Sequence, residues 1–241
     1  MPDQVRGDGT LIDPAKARAP MSIQAILFDI DGTLVDSNDL HVDAWLEAFE
    51  HHGHRFTRDQ VREQIGKGGD MLVPSLLPDL PEDEQEKLAD AHGEAFQGAR
   101  LRQAQPFPGA HDLIARVKGA GLKVALASSA KQEELDHYLD LLAIRDLVDE
   151  TTTTDDVENS KPAPDIVATA LKKLGVGADE VLFVGDTPYD VESGAKAGVA
   201  TVAVLSGGFP RDTLKGAKAI YDDAAALAAA FPEWVDDASS T

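Results

Sequence analysis

The 241-residue chain carries 43 acidic and 22 basic side chains, and its formal net charge of -21 disfavours general nucleic-acid binding. It has no cysteine, which excludes disulfides, thiolate nucleophiles and cysteine-ligated metals. An apolar fraction of 43% provides a core for one large domain or two smaller ones, yet charge breaks every apolar stretch well short of a membrane span.

Residues 1–21 are polar, with Gly and Pro, and read as a flexible extension. They lack a basic start followed by an apolar block, so no secretory signal is expected, and with the absence of cysteine this suits a cytoplasmic protein. Ile23 to Phe28 is short, apolar and rich in β-branched residues, as a buried strand should be. From Asp39 to Gly53 the apolar spacing turns helical, with Leu40, Ala44, Trp45 and Phe49 on the stripe. A second helix is expected after Thr57, whose hydroxyl can cap it ahead of Gln60, and a third across Glu82 to Phe96. No convincing strand falls between about 38 and 105, so residues 38–105 read as a helical cap, closed by Pro106-Phe107-Pro108-Gly109.

Beyond that punctuation strands and helices alternate. Helices are expected over Ala110–Ala120, Glu133–Leu142, Pro164–Leu174 and Ala224–Ala230. Strands are expected over Leu122–Ala127, weakly around Leu147, and over Val181–Val184 and Ala200–Leu205. The pattern predicts an α/β fold: a Rossmann-like, mostly parallel sheet with helices on both faces, formed by residues 22–37 and 106–241. Ligands bind such sheets at the carboxyl ends of the strands, where a cap inserted after the first strand would sit.

Four segments around those strand ends carry chemistry. The first strand runs into Asp29 and Asp31, two acids that are costly to hold together without a cation. A second ends in Ser128-Ser129, Asn159-Ser160-Lys161-Pro162 precedes a helix, and Gly185-Asp186-Thr187 follows a third strand with Asp190 four positions beyond Asp186. Taken singly, the serines read as turn residues, Lys161 as surface and Gly-Asp-Thr as a helix cap. Together, the carboxylates suit a hard divalent ion, and the hydroxyl and ammonium suit phosphoryl oxygens.

This constellation resembles the haloacid-dehalogenase-like hydrolase superfamily, with DIDGTLVDS, Ser128-Ser129, Lys161 in SKPAPD and GDTPYD matching its four motifs across roughly residues 23–207. The resemblance implies an aspartyl-phosphate mechanism in which Asp29 is the nucleophile and Asp31 the general acid/base. Ser128 and Lys161 would hold the phosphoryl group, and Ser129 is a further substrate-binding candidate. Mg2+ would be held by Asp29, the Asp31 backbone carbonyl and Asp186, with Asp190 in support. The cap resembles that of the phosphoglycolate phosphatase and β-phosphoglucomutase-like branch, where a histidine at the place of His41 assists the proton-transfer residue. True haloacid dehalogenases lack an acid at the position of Asp31, so its presence favours phosphate esters. The sugar mutases carry Glu-Asp where this chain has Gly185-Asp186, which disfavours a phosphomutase. Arg62 and Lys67, near the Gly66-Lys67-Gly68-Gly69 turn, are candidates to meet an anionic leaving group. The expected substrate is a small phosphorylated metabolite, with no nucleic-acid or membrane partner, and the expected assembly a monomer or small homo-oligomer. A sugar phosphomutase and a non-catalytic interaction protein on the same scaffold are the alternatives.

Overall fold

The structure, a computed structural model, describes residues 23–239; the expected extension over 1–21 lies outside them. Its centre is β1 (Ala25–Phe28), in which Ile26 and Phe28 face one apolar layer and Ala25 and Leu27 the other. Strands β4 (Lys123–Ala127) and β6 (Val181–Gly185) flank it and alternate in the same way. Burial on both faces explains their near-continuous apolar sequences. With β5 (Glu150–Thr152), β7 (Ala200–Val204) and β8 (Ala219–Tyr221) they form a six-stranded sheet of order β5-β4-β1-β6-β7-β8, parallel throughout. From β1 the chain builds one side of the sheet and then the other, so strand exits around β1 form a switch point for ligands.

One face is covered by α5 (Ala110–Gly119), α6 (Gln132–Leu141), α9 (Ala224–Ala229) and α10 (Glu233–Ser239), the other by α7 (Asp165–Leu174) with Val199 after α8 (Pro188–Ala197). A two-stranded antiparallel pair, β2 (Val35–Asp36) and β3 (Gln105–Pro106), joins the two ends of the inserted helices. Those helices are α1 (Asn38–His51), α2 (Arg58–Arg62), α3 (Gly69–Leu76) and α4 (Glu82–Gln97). They bury an apolar cluster of their own, with Val42, Trp45 and Phe49 from α1 meeting Val61, Leu72, Val73 and Leu88. Thr57 and Gln60 cap α2 reciprocally, as their spacing predicts.

The strand expected around Leu147 forms three residues later, at Glu150–Thr152. Leu147 instead packs against the main core from a turn, so its apolarity marks packing and not pairing. Helices α3, α8 and α10, the β2–β3 pair and the edge strand β8 have no counterpart among the elements expected from the sequence. Among the described residues no helix is long and apolar enough to cross a membrane.

Candidate active site

Three neighbouring strands end level with one another, since Phe28 lies opposite both Leu126 and Val184. Asp29 is the residue after β1, Ser128 the residue after β4 and Asp186 the residue after β6. The fully buried Lys161 Nζ lies 2.5 Å from Asp29 Oδ1 and 2.8 Å from Asp190 Oδ1. Asp190, in the first turn of α8, accepts from Thr187 N–H (2.9 Å) and Thr187 Oγ1 (2.7 Å). Asp186 accepts from Thr33 Oγ1 (2.9 Å) and Asn38 Nδ2 (3.1 Å). A Cβ at Gly207 would fall 1.6 Å from Asp186 Oδ2, so backbone closes tightly over this carboxylate.

Three buried carboxylates facing one ammonium leave two negative charges unbalanced. Burial, opposed by Lys161, pushes the Asp29 carboxyl up to about 8, and burial with the neighbouring acids raises Asp186 well above its usual range. Burial pulls the other way on Lys161, but Asp190 and Asp29 outweigh it and keep the amine charged. Oxygens of Asp29, Asp186 and Asp190 all lie within 4.8 Å of one another. An all-oxygen set with a deficit of two charges fits a hard divalent cation such as Mg2+.

The Asp31 side chain faces a different set of groups. It accepts from Ser37 Oγ (2.5 Å) and Tyr138 OH (3.0 Å), and lies 3.2 Å from His41 Nε2. Burial acts to raise its pKa, but the His41 charge and these hydrogen bonds prevail and lower it. His41 answers in kind: burial works against its proton, yet Asp31 and Glu134 drive its pKa up to about 10. His41 Nδ1 meets His92 Nε2 at 3.2 Å, and burial together with the His41 charge holds His92 neutral. Phe96 stacks on His41 at 3.8 Å and Trp45 on His92 at 4.1 Å, which fixes both rings.

Asp29 and Asp31 open onto a cavity of about 580 Å³ between the sheet end and α3 and α4. His41, Lys67 and Ser129 also line it, so it gathers five of the residues singled out from sequence. Lys161, Asp186 and Asp190 lie buried beside Asp29. Ser128 is wholly buried, with its Oγ accepting from Ala130 N–H (3.1 Å), whereas the Ser129 hydroxyl donates to Gly66 O (3.1 Å) across to the helical insertion. Lys67 bonds Gln64 Oε1 (2.6 Å) and Ser75 Oγ (2.9 Å), and lies 4.5 Å from the Tyr189 ring centre. Arg62 is not brought to the cavity; it pairs with Asp39 on the surface.

Sequence reasoning gave no role to Thr33 and Ser37, although these two lie within DIDGTLVDS, nor to Asn38, His92, Glu134 and Tyr138. Only one faint signal marks the last two. Glu134 and Tyr138 stand four apart on α6, so both fall on its buried face beside Leu135 and Leu139, where polar tips need partners.

Comparison with known proteins identifies the family and the fold. Residues 26–204 match the family model of haloacid dehalogenase-like hydrolases. Pyrophosphatase PpaX of Halalkalibacterium halodurans is 30% identical over 187 residues, covering 76% of this chain and 84% of that protein. A hydrolase from Pseudomonas syringae aligns with a TM-score of 0.82 at 29% identity, over 88% of this chain and 98% of that one. CbbY from Rhodobacter sphaeroides, crystallised with phosphate, aligns with a TM-score of 0.72 at 27% identity, over 85% and 96% of the two chains.

Proposed function

We infer that this chain, which belongs to the haloacid dehalogenase-like hydrolase family, is a Mg2+-dependent phosphomonoesterase acting on a small phosphorylated metabolite. The observation that carries this reading is the buried Asp29–Lys161–Asp190 ion triad beside Asp186, with Asp29 and Asp31 opening onto one cavity. An Asp29 oxygen attacks phosphorus in line with the ester oxygen, forming an aspartyl-phosphate as the P–O bond to the alcohol breaks. Asp31 protonates the departing alkoxide, drawing on the proton held between its Oδ1 and His41 Nε2. Ionised again, Asp31 takes a proton from water, and the resulting attack on phosphorus releases phosphate and restores Asp29. Lys161 stabilises charge on the phosphoryl oxygens, and Ser128 and Ser129 position that group. Mg2+, held by Asp29, Asp186 and the Asp31 carbonyl with Asp190 in support, would neutralise charge on the phosphoryl oxygens when bound.

Residues 38–105 act in this scheme as a lid whose closure excludes bulk water. The cavity suits a compact metabolite and not a folded protein. Hydrolysis is favoured over phosphomutase chemistry because a side chain at Gly185 would come within 2.5 Å of Asp190, leaving no room for the acid the mutases carry there. Cytoplasmic residence fits the absence of cysteine and is part of the same proposal.

The test is phosphate release from a broad panel of small esters, phosphoglycolate among them, with Mg2+ and with EDTA. Inorganic pyrophosphate joins the panel because similar chains are pyrophosphatases. Turnover that EDTA abolishes is expected; no release from any compound with Mg2+ present would refute the assignment. β-Glucose 1-phosphate with a trace of the 1,6-bisphosphate should yield free phosphate faster than glucose 6-phosphate, and the reverse order would favour the mutase. Absent turnover together with a tight protein partner would favour a scaffold.

A further inference from the structure

We propose that Asp31, His41 and Glu134 form a second metal site, separate from the acidic centre around Asp29, which takes a borderline transition-metal ion such as Zn2+ and inhibits by holding the Asp31 side chain. Their ligand atoms all lie within 4.8 Å of one another, and all three residues line the cavity. His41 Nε2 is 3.2 Å from Asp31 Oδ1 and 3.4 Å from Glu134 Oε1. A tetrahedral ion with ligand bonds of about 2.0–2.1 Å has edges of about 3.3 Å, so the two separations from His41 Nε2 already match edges of its coordination shell, and the third lies within 4.8 Å. Zn2+ would take the place of the proton now shared between these groups, and the cavity supplies the fourth position for water.

An independent observation singles out Glu134. Its side chain is 9% exposed, yet Oε1 makes no hydrogen bond and its contact with His41 Nε2 is an ion pair at 3.4 Å. Burying such an atom is costly unless something else satisfies it. The surroundings also match a metal-bound histidine, whose second nitrogen is normally held by a hydrogen bond; here His41 Nδ1 meets His92 Nε2 at 3.2 Å. Donor chemistry separates the two centres. Three carboxylates around Asp29 suit Mg2+, whereas an imidazole with two carboxylates suits Zn2+ or Co2+.

Binding can be measured without reference to catalysis; only the inhibition rests on the phosphatase reading. The experiment is a calorimetric Zn2+ titration of the full chain in saturating Mg2+, paired with turnover under the same conditions. One Zn2+ per chain is expected, with loss of turnover, and Co2+ in its place should give the visible absorption of a tetrahedral site. Glu134→Gln should weaken binding at least about tenfold and leave turnover correspondingly resistant to Zn2+. His41→Asn, with a matching melting curve, serves as the second binding variant and should lose the Co2+ band. Equal Zn2+ binding and inhibition in wild type and Glu134→Gln would show that the ion sits outside this cluster and overturn the proposal, as would no binding at all. Glu134-dependent binding in a chain that turns over no ester would uphold the site while defeating the phosphatase reading.

Discussion

The two charged clusters at the end of the sheet are built in opposite ways. Around Asp29, the acids stand at or just beyond strand exits, Lys161 is wholly buried, and glycine backbone closes over Asp186. Around Asp31, the partners come from three helices and the residue that precedes one of them: Ser37 before α1, His41 on α1, Glu134 and Tyr138 on α6, and His92 on α4. The first cluster stands mainly on strand exits; the second joins Glu134 and Tyr138, from the helix packed on the sheet, to His41 and His92, from the inserted helices. In the proposed reaction the nucleophile and metal ligands would thus have a rigid frame, while the proton-handling Asp31 would gain its histidine partners from the inserted helices. Rigid placement of the attacking atom and adjustable placement of the proton suit a reaction in two half-steps.

The sharpest way to break this comparison is to disable one member of each cluster. Asp29→Asn should abolish the covalent phosphoenzyme and lower turnover by at least ~10⁴-fold, because an amide is a poor nucleophile. Mass spectrometry after incubation with substrate reads this directly, and a phosphorylated Asp29→Asn variant would show that the nucleophile lies elsewhere. Asp31→Asn should cost about 10²-fold in turnover while retaining Mg2+ affinity, since its side chain faces His41 and Tyr138 and not the acidic centre.

Lys161→Met probes the rigid cluster through stability. Removing the ammonium leaves Asp29 and Asp190 buried without their cation, and breaking a buried pair in this way costs about 3–5 kcal/mol. Denaturant unfolding checks the loss, and Mg2+ should recover part of it by restoring a positive charge. The metal-free wild type should show a related pH dependence. Asp29 ionises near 3.8 when unfolded but near 8 when folded, so unfolding releases a proton between those values. Stability contributed by this group is therefore full below about pH 4 and declines as pH rises to about 8. His41, raised to about 10, adds a decline of the same sign above about 6.5. Without metal the melting temperature should be lower at pH 8 than at pH 5, and Mg2+ should raise it more at pH 8. A flat profile without metal would count against a protonated Asp29 in the folded chain, since the opposing contribution of His92, held neutral by burial, ends near 6.5.

The rigid cluster was also the legible one, for the same physical reason. Strands buried on both faces leave continuous apolar runs, so the polar residue at each exit, Asp29, Ser128 or Asp186, stands out in the sequence. Edge elements leave weaker traces. Strand β5 is Glu-Thr-Thr with one neighbour, so its pairing carries no apolar signature, and the more apolar Leu147 nearby drew attention from a turn. Helix α3 begins at a glycine pair and contains Pro74, both signals against a helix, and its packing of Leu72 and Val73 overrides them. The Asp31 cluster depends on which helix faces meet across the cavity. His92 and Tyr138 lie 51 and 107 positions from their partners, separations that no local pattern encodes.

The smallest expected effects separate the two cations assigned to the leaving group. Arg62 is tied to Asp39, which Arg58 also engages at 2.9 Å, and side-chain exposures of 36% and 60% leave the Arg62–Asp39 pair well solvated. An exposed pair of this kind is worth roughly 0–1 kcal/mol, and the guanidinium does not reach the cavity. Lys67 does line it, with its ammonium partly desolvated so that burial lowers its pKa, and Gln64 and Ser75 hold it beside the Tyr189 ring. For an ester with an anionic leaving group, Lys67→Ala should raise KM by about tenfold with little change in kcat, the loss of one charge-assisted contact. Arg62→Ala should leave KM within about twofold and the unfolding free energy within about 1 kcal/mol. Steady-state kinetics on the two purified variants decides the matter. If Arg62→Ala raises KM as much as Lys67→Ala, the lid must rearrange on binding to bring α2 over the substrate, and the adjustable half of the site would extend further than the cavity wall.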